Sequence, residues 1–309
     1  TYTYDPAGNL TRVANVKAND TLISSFDYSY DNVGNRLGVV EANGDRVTWS
    51  YDATYQLIRE QRSGDHAYDI TYTYDAVGNR LTKVDSAATT TYTYDAANEL
   101  VTEVAPGGSV TTCSYDSNGN LTAQNAAGSL TTYTWDGGNR LTSAALPGGA
   151  VHTMTYDGQG LRHKREDADG AVVFIWDGQD VLMETDAEGA TQASYTQTPD
   201  VYGALIAQRR GDASSFYHFD GLGSTTELTD AAQDATDSYL YYAFGELLTS
   251  TGSTANPFRF VGRLGYYNEP ALGLQYLRAR WYRATIGRFT CYDPGRKGVN
   301  LYAYVTNAP

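Results

Sequence analysis

Cysteine is nearly missing from this chain: two in 309 residues, too few for a disulfide framework or a cysteine zinc set. Cys113, in "TTCSYD", takes a slot that elsewhere holds Tyr, Trp, Met or Phe, so it reads as a small core hydrophobe. The four histidines, His66, His152, His163 and His218, are scattered without the spacing of zinc ligands. No apolar run approaches the roughly 18–20 residues needed to cross a bilayer as a helix. The N-terminus has no charged, apolar, small-residue signal order. Because the chain opens inside a repeated motif, it reads as a piece of something longer, which leaves export open. Bases are scarce as well, 22 against 36 acids, for a net charge of −14. That field repels phosphate backbones and anionic lipid, which argues against a nucleic-acid partner. A G-x-S-x-G elbow does not occur, and Gly221-Leu222-Gly223-Ser224 reads as a glycine turn. The dense glycine–aspartate nonapeptides of calcium rolls are absent. Asp167-Ala168-Asp169-Gly170 lacks the closing acid of a calcium loop. No metal and no cofactor is expected.

What the chain has is tyrosine, 27 residues against 8 phenylalanines. A tyrosine buries a ring and still reaches a polar partner with its hydroxyl, so many of them suit a thin, two-sided layer. They recur with aspartate. The pairs are Tyr4-Asp5, Tyr30-Asp31, Tyr51-Asp52, Tyr74-Asp75, Tyr94-Asp95, Tyr115-Asp116, Trp135-Asp136, Tyr156-Asp157 and Trp176-Asp177. The spacing stays close to twenty residues, the mark of an array of identical structural units. Before each anchor the pattern alternates with period two, as in Thr71-Tyr72-Thr73-Tyr74, which is a strand signal. After it, the aspartate is placed to accept backbone N–H groups in an Asx-turn. A Gly–Asn pair then tolerates positive φ, as at Gly78–Asn79. "YDAANEL" and "WDGGNRL" read as turns one residue shorter. Each period is therefore one β-hairpin. A lone hairpin is marginal in water, so the units are expected to pair edge to edge in one long sheet.

From about Tyr195 the pattern changes. "HFDGLGS", "YYAFGE", "NPFRFVG", "GLQYLRARWY", "GRF", "DP" and "NLYAYVTNAP" follow in order to Pro309. With the "YDxxGNxL" units before them, these motifs resemble the RHS/YD-repeat family, whose members include Tc-toxin C components and teneurins, over essentially the whole chain. The resemblance implies an all-β fold: a spiralling antiparallel sheet of hairpins forming a hollow barrel or shell, closed by an RHS-associated core. It implies a YD-repeat array over residues 1–194 and a core, continuous with it, over 195–309. It also implies a containment or presentation shell, secreted or at a bacterial cell surface. The partner would be the protein's own C-terminal payload segment beyond residue 309.

In some members the core cuts its own chain by an aspartyl-protease-like reaction. The positions matching that motif here are Asp293 and Arg288, and the cut site would lie beyond this chain. An aspartyl mechanism needs two carboxylates sharing a proton, and the sequence supplies one. Asp293-Pro294 fits an ordinary turn equally well. The chain also departs from the family pattern: Arg283-Ala284 stands where Asp-Pro is usual, and Gly221 where a histidine is usual. Two further functions stay open at this point: a self-cleaving core, and an aromatic-repeat surface that binds glycans or other surface proteins. Catalysis is not the expected role.

Overall fold

The computed structural model describes residues 1–295 and 298–309, so Arg296 and Lys297 of the Asp293–Asn300 motif lie outside the described residues. The chain forms the antiparallel wall that the repeats demand: twenty-four strands, from Tyr2–Tyr4 to Leu247–Thr251, in one sheet. Each strand pairs with the next in sequence, as Tyr68–Tyr74 does with Arg80–Asp85 and that strand with Ala88–Tyr94. The wall passes residue 195 without a break, continuing through Thr191–Gln197 to Leu205–Arg210.

The alternation seen in the sequence sorts the two faces. Tyr28, Tyr72, Tyr92, Tyr133, Met154 and Phe174, each two residues before an anchor, are buried on the inner face. Thr71, Thr73, Thr91, Thr93, Thr132 and Thr134 are exposed on the outer one. At each anchor the ladder slips by one residue. Thr73 faces Thr82 but Tyr74 faces Arg80, leaving Leu81 unpaired, and the same shift recurs at Tyr30, Tyr51, Tyr115, Trp135, Tyr156 and Trp176. A bulge bends its strand and increases local twist. Repeated at one position of every hairpin, it curves the whole wall the same way.

Curvature brings the last hairpins against the first. Tyr28 Oη accepts the Gly221 N–H at 2.8 Å, and Ser24 Oγ donates to Glu227 Oε2 at 2.7 Å. Lys17 pairs with Asp234 at 2.7 Å, and the Tyr68 and Tyr242 rings meet edge to face at 4.9 Å. Beyond Thr251 the chain turns to the concave side and builds a small second sheet, Tyr267–Glu269, Leu274–Leu277, Arg280–Arg283 and Arg288–Phe289. Phe258, Tyr267, Leu274, Tyr276 and Trp281 of this tail share one core with Tyr133, Met154, Phe174, Tyr195, Tyr217 and Tyr239 of the wall. The inner tyrosines thus line a barrel whose concave side holds the tail.

Candidate functional site at the capped rim

The aspartate turns that follow the aromatic anchors all fall at one end of the hairpins and make a rim. Asp75 Oδ1 accepts the N–H groups of Val77 and Asn79 at 3.0 and 2.8 Å, and its Oδ2 accepts Asn79 Nδ2 at 2.9 Å. Asp5, Asp31 and Asp116 repeat the three bonds. Asp52, Asp95, Asp136 and Asp157 accept the same two backbone N–H groups. Asp177 differs: it ends its strand facing Asp180 across the two residues Gly178 and Gln179.

The two turns that read as shorter have the full length. Asn98 (φ 64°) and Asn139 (φ 58°) occupy the left-handed place that Gly78 (φ 82°) holds in its own turn. Both keep the turn's N–H bond back to the aspartate carbonyl. Asparagine tolerates that region, so it substitutes for glycine without a deletion. Asp220 closes the same turn on the rim, and Asp186 and Asp230 close it at the opposite end of the wall, each by its own Oδ1 bonds. Asp186 and Asp230 escape a search for the tyrosine–aspartate pair because threonine precedes each.

A second repeating contact joins neighbouring hairpins. The anchor hydroxyl or indole N–H donates to the carbonyl of the residue that leaves the previous turn. Tyr30 reaches Leu10 at 2.7 Å, Tyr74 reaches Leu57 at 2.9 Å and Tyr94 reaches Arg80 at 2.9 Å. Trp135 reaches Leu121 at 2.7 Å, Tyr156 reaches Leu141 at 2.7 Å and Trp176 reaches Arg162 at 2.8 Å. A ring with a donor at its far end is needed here, which is why tyrosine and tryptophan recur and phenylalanine does not. Tyr51 and Tyr115 are half-buried at equivalent positions, whereas Tyr4, in the first strand, is 62% exposed.

The tail runs back along this rim. Arg162 N–H donates to Tyr276 Oη at 2.9 Å, and Leu121 N–H donates to Thr290 O at 2.9 Å. Tyr302 Oη donates to Gly119 O at 2.8 Å, and Asn307 Nδ2 to Gly78 O at 2.8 Å. Last, Arg36 Nη2 donates to the carbonyl of buried Pro309. Buried cations fasten the crossing. The Arg162 guanidinium bonds Glu269 and lies within 4.3–4.7 Å of the Phe174, Tyr267 and Tyr276 ring centres. Pairing and cation–π contact offset the cost of burying both charges. Arginine after the turn is a legible signal, since Arg36 and Arg140 stack likewise on Trp49 and Tyr156. Its partner Glu269 carries no such signal.

Arg288 and Asp293 fall in this cap but serve different contacts. Arg288 is buried among rim turns, donating to Asn79 Oδ1 at 2.8 Å and Asn98 O at 2.5 Å, between the Tyr94 and Tyr302 rings. Burial pulls its guanidinium below the usual arginine range. Asp293 is half-buried and accepts the Gly295 N–H at 2.8 Å, the bond of an Asx-turn. Arg280 lies 3.8 Å from its other oxygen. The cavity beside Asp293 is lined by Tyr266, Arg280, Phe289, Tyr304 and the rim residues Gln56 and Gly78, and Asp293 is the single carboxylate among its described lining residues. Burial also raises the thiols of Cys113 and Cys291, each to about 11, away from thiolate chemistry. Among the described residues no group of His, Cys, Asp and Glu is arranged to hold a metal ion.

Residues 45–299 match the family described as Teneurin YD-shell. The tRNA3(Ser)-specific nuclease WapA of Bacillus spizizenii is 32% identical over 138 residues, 42% of this chain and 6% of that protein. The double-stranded DNA deaminase toxin A of Burkholderia cenocepacia is 31% identical over 121 residues, 36% of this chain and 8% of that one. The chain thus spans less than a tenth of these curated relatives. Among solved structures, the TcdB2-TccC3 crystal structure covers the whole chain and 21% of its own, at 17% identity and a TM-score of 0.48.

Proposed function

This chain belongs to the Teneurin YD-shell family, and on that premise we propose that it is the closing segment of a containment shell, whose capped wall holds a payload continuing beyond residue 309. The observation that carries this reading is the path of the tail. It crosses the concave side, satisfies wall amides at Arg162 and Leu121, and brings Pro309 to a buried position against Arg36. A segment following Pro309 would therefore start under the cap rather than on the outer wall. The toxin and nuclease names of the curated relatives suit a toxic payload, and with it a secreted or surface location.

A glycan-binding surface draws no comparable support, because the repeated rings face the core or bond neighbouring hairpins. Nor does a self-cleaving aspartyl pair, since the cavity beside Asp293 offers no second carboxylate among its described lining. The test is a protease-sensitive reporter peptide joined after Pro309, with the same peptide placed before Thr1 as the exposed control. Containment predicts cleavage slowed by at least about tenfold at the C-terminal position, because access then requires the wall or cap to open. Equal rates at the two ends would refute it.

A further inference from the structure

The wall meets itself along a line unlike any other in the molecule. Every neighbouring pair of strands is joined by a backbone ladder, yet among the described residues no backbone–backbone hydrogen bond links the first hairpins to the last. Side chains alone hold this seam: Asn15 on Phe219 O, Lys17 on Asp234, Ser24 on Glu227, Tyr28 on Gly221 and Lys83 on Glu246.

Its most buried polar contact is Glu60, on strand Leu57–Ser63. Glu60 is fully buried, and its Oε2 accepts the N–H of Ala243, 183 residues away in the Tyr242–Glu246 turn, at 2.8 Å. Its Oε1 is equally buried and has no close hydrogen-bond partner, though the Tyr68 hydroxyl stands near enough to the carboxyl to favour its charged form. Two cations stand nearby and neither hydrogen-bonds it, although the buried Arg80 Nε and Nη2 have no other partner. Lys83 Nζ is taken by Glu246 Oε2 at 2.9 Å, and the Arg80 guanidinium is stacked on Tyr72 and Phe244 at 4.7 and 4.2 Å. The remaining groups turned toward it are the phenols of Tyr51, Tyr68, Tyr72, Tyr74 and Tyr242, with Glu246 and Asp85 at the outer edge of the turn. A carboxylate with one dry, unpaired oxygen is costly, whereas a neutral carboxyl is tolerated there.

We propose that the seam is a proton-dependent closure: the Tyr242–Glu246 turn docks over Glu60 with its carboxyl protonated, and the seam loosens when that proton is lost. Burial raises the Glu60 pKa to about 7 from an ordinary 4.5, with the Ala243 N–H, the Tyr68 hydroxyl and the nearby cations opposing it. A raised value in the docked state means the stabilisation is complete below 4.5 and lost as pH rises through about 7. Two further seam carboxyls, Asp220 beside Tyr28 and Glu227 beside Ser24, are raised chiefly by burial and act in the same direction. The closure does not depend on what the wall contains.

The Ala243 amide reads the seam directly. Its hydrogen-exchange protection, corrected for the intrinsic pH dependence of exchange, should fall by more than about tenfold between about pH 5.5 and 8.5. The Leu121 amide, bonded far from the seam, should keep its protection and so report that the fold stays intact. In Glu60→Gln, neutral at position 60 at every pH, the fall in Ala243 protection should shrink to the smaller part left by Asp220 and Glu227. Constant Ala243 protection in the unaltered chain would overturn the proposal, and so would a Glu60→Gln profile that follows the unaltered one. The wild-type profile decides alone if the variant does not fold.

Discussion

A single tyrosine in this wall has two tasks, and they separate experimentally. The Tyr74 ring packs beside the cluster of Leu57, Ile70 and Phe244, while its hydroxyl donates to Leu57 O in the previous hairpin. Tyr74→Phe keeps the ring and loses the donor, so it should cost about 1 kcal/mol in denaturant unfolding, the net worth of one hydrogen bond. Tyr74→Ala loses both and should cost about 3–5 kcal/mol, as for other large core truncations. Arg162 is a different case, because removing it leaves Glu269 in a dry site with Arg165, 3.7 Å away, in place of its hydrogen-bonded partner. Arg162→Ala should cost about 3–5 kcal/mol, and much less in a Glu269→Ala background, which a double-mutant cycle measures.

At the scale of the hairpin, the turn is the unit that sets length and reach. Gly119 and Gly8 hold the same left-handed place, with φ 78° and 88°. A Cβ at Gly8 would meet open space, whereas one at Gly119 would lie 2.5 Å from the Tyr292 ring of the cap. Both alanine substitutions should carry the backbone cost of about 1 kcal/mol. Gly119→Ala should lose more in thermal unfolding, because it also pushes the tail off the rim. The turn acids set the acid limit. The Asn9 side chain and N–H hold Asp5 below its ordinary 3.8, and the Arg140 bonds hold Asp136 below it against the opposing effect of burial. A lowered value in the folded state means that this support is present above 3.8 and lost as pH falls through the folded value. Acid titration by circular dichroism should therefore show the hairpins loosening below about pH 4, opposite in sign to the seam.

This is also the scale at which the sequence was most readable. Period, alternation and aspartate turns are local, so Tyr74-Asp75 and its eight counterparts specify hairpins from the sequence alone. The missed features share one cause: their partners are distant in sequence. Nothing near Glu60 names Ala243, nothing near Arg162 names Glu269, and the acceptor of the Tyr74 hydroxyl belongs to the preceding unit. The Asn98 and Asn139 turns read as short in sequence because conformational tolerance, rather than residue identity, fills the left-handed place.

Across the whole molecule, the tail folds back over the rim it follows in sequence. Two wall amides report this without any substitution, since Arg162 N–H and Leu121 N–H are bonded to tail atoms, Tyr276 Oη and Thr290 O. If the cap is in place, residue-resolved hydrogen exchange will show both amides protected to the level of the ladder amides beside them. Exchange of these two near the unprotected rate, with neighbouring ladder amides still slow, would mean a wall without its lid and would contradict the account.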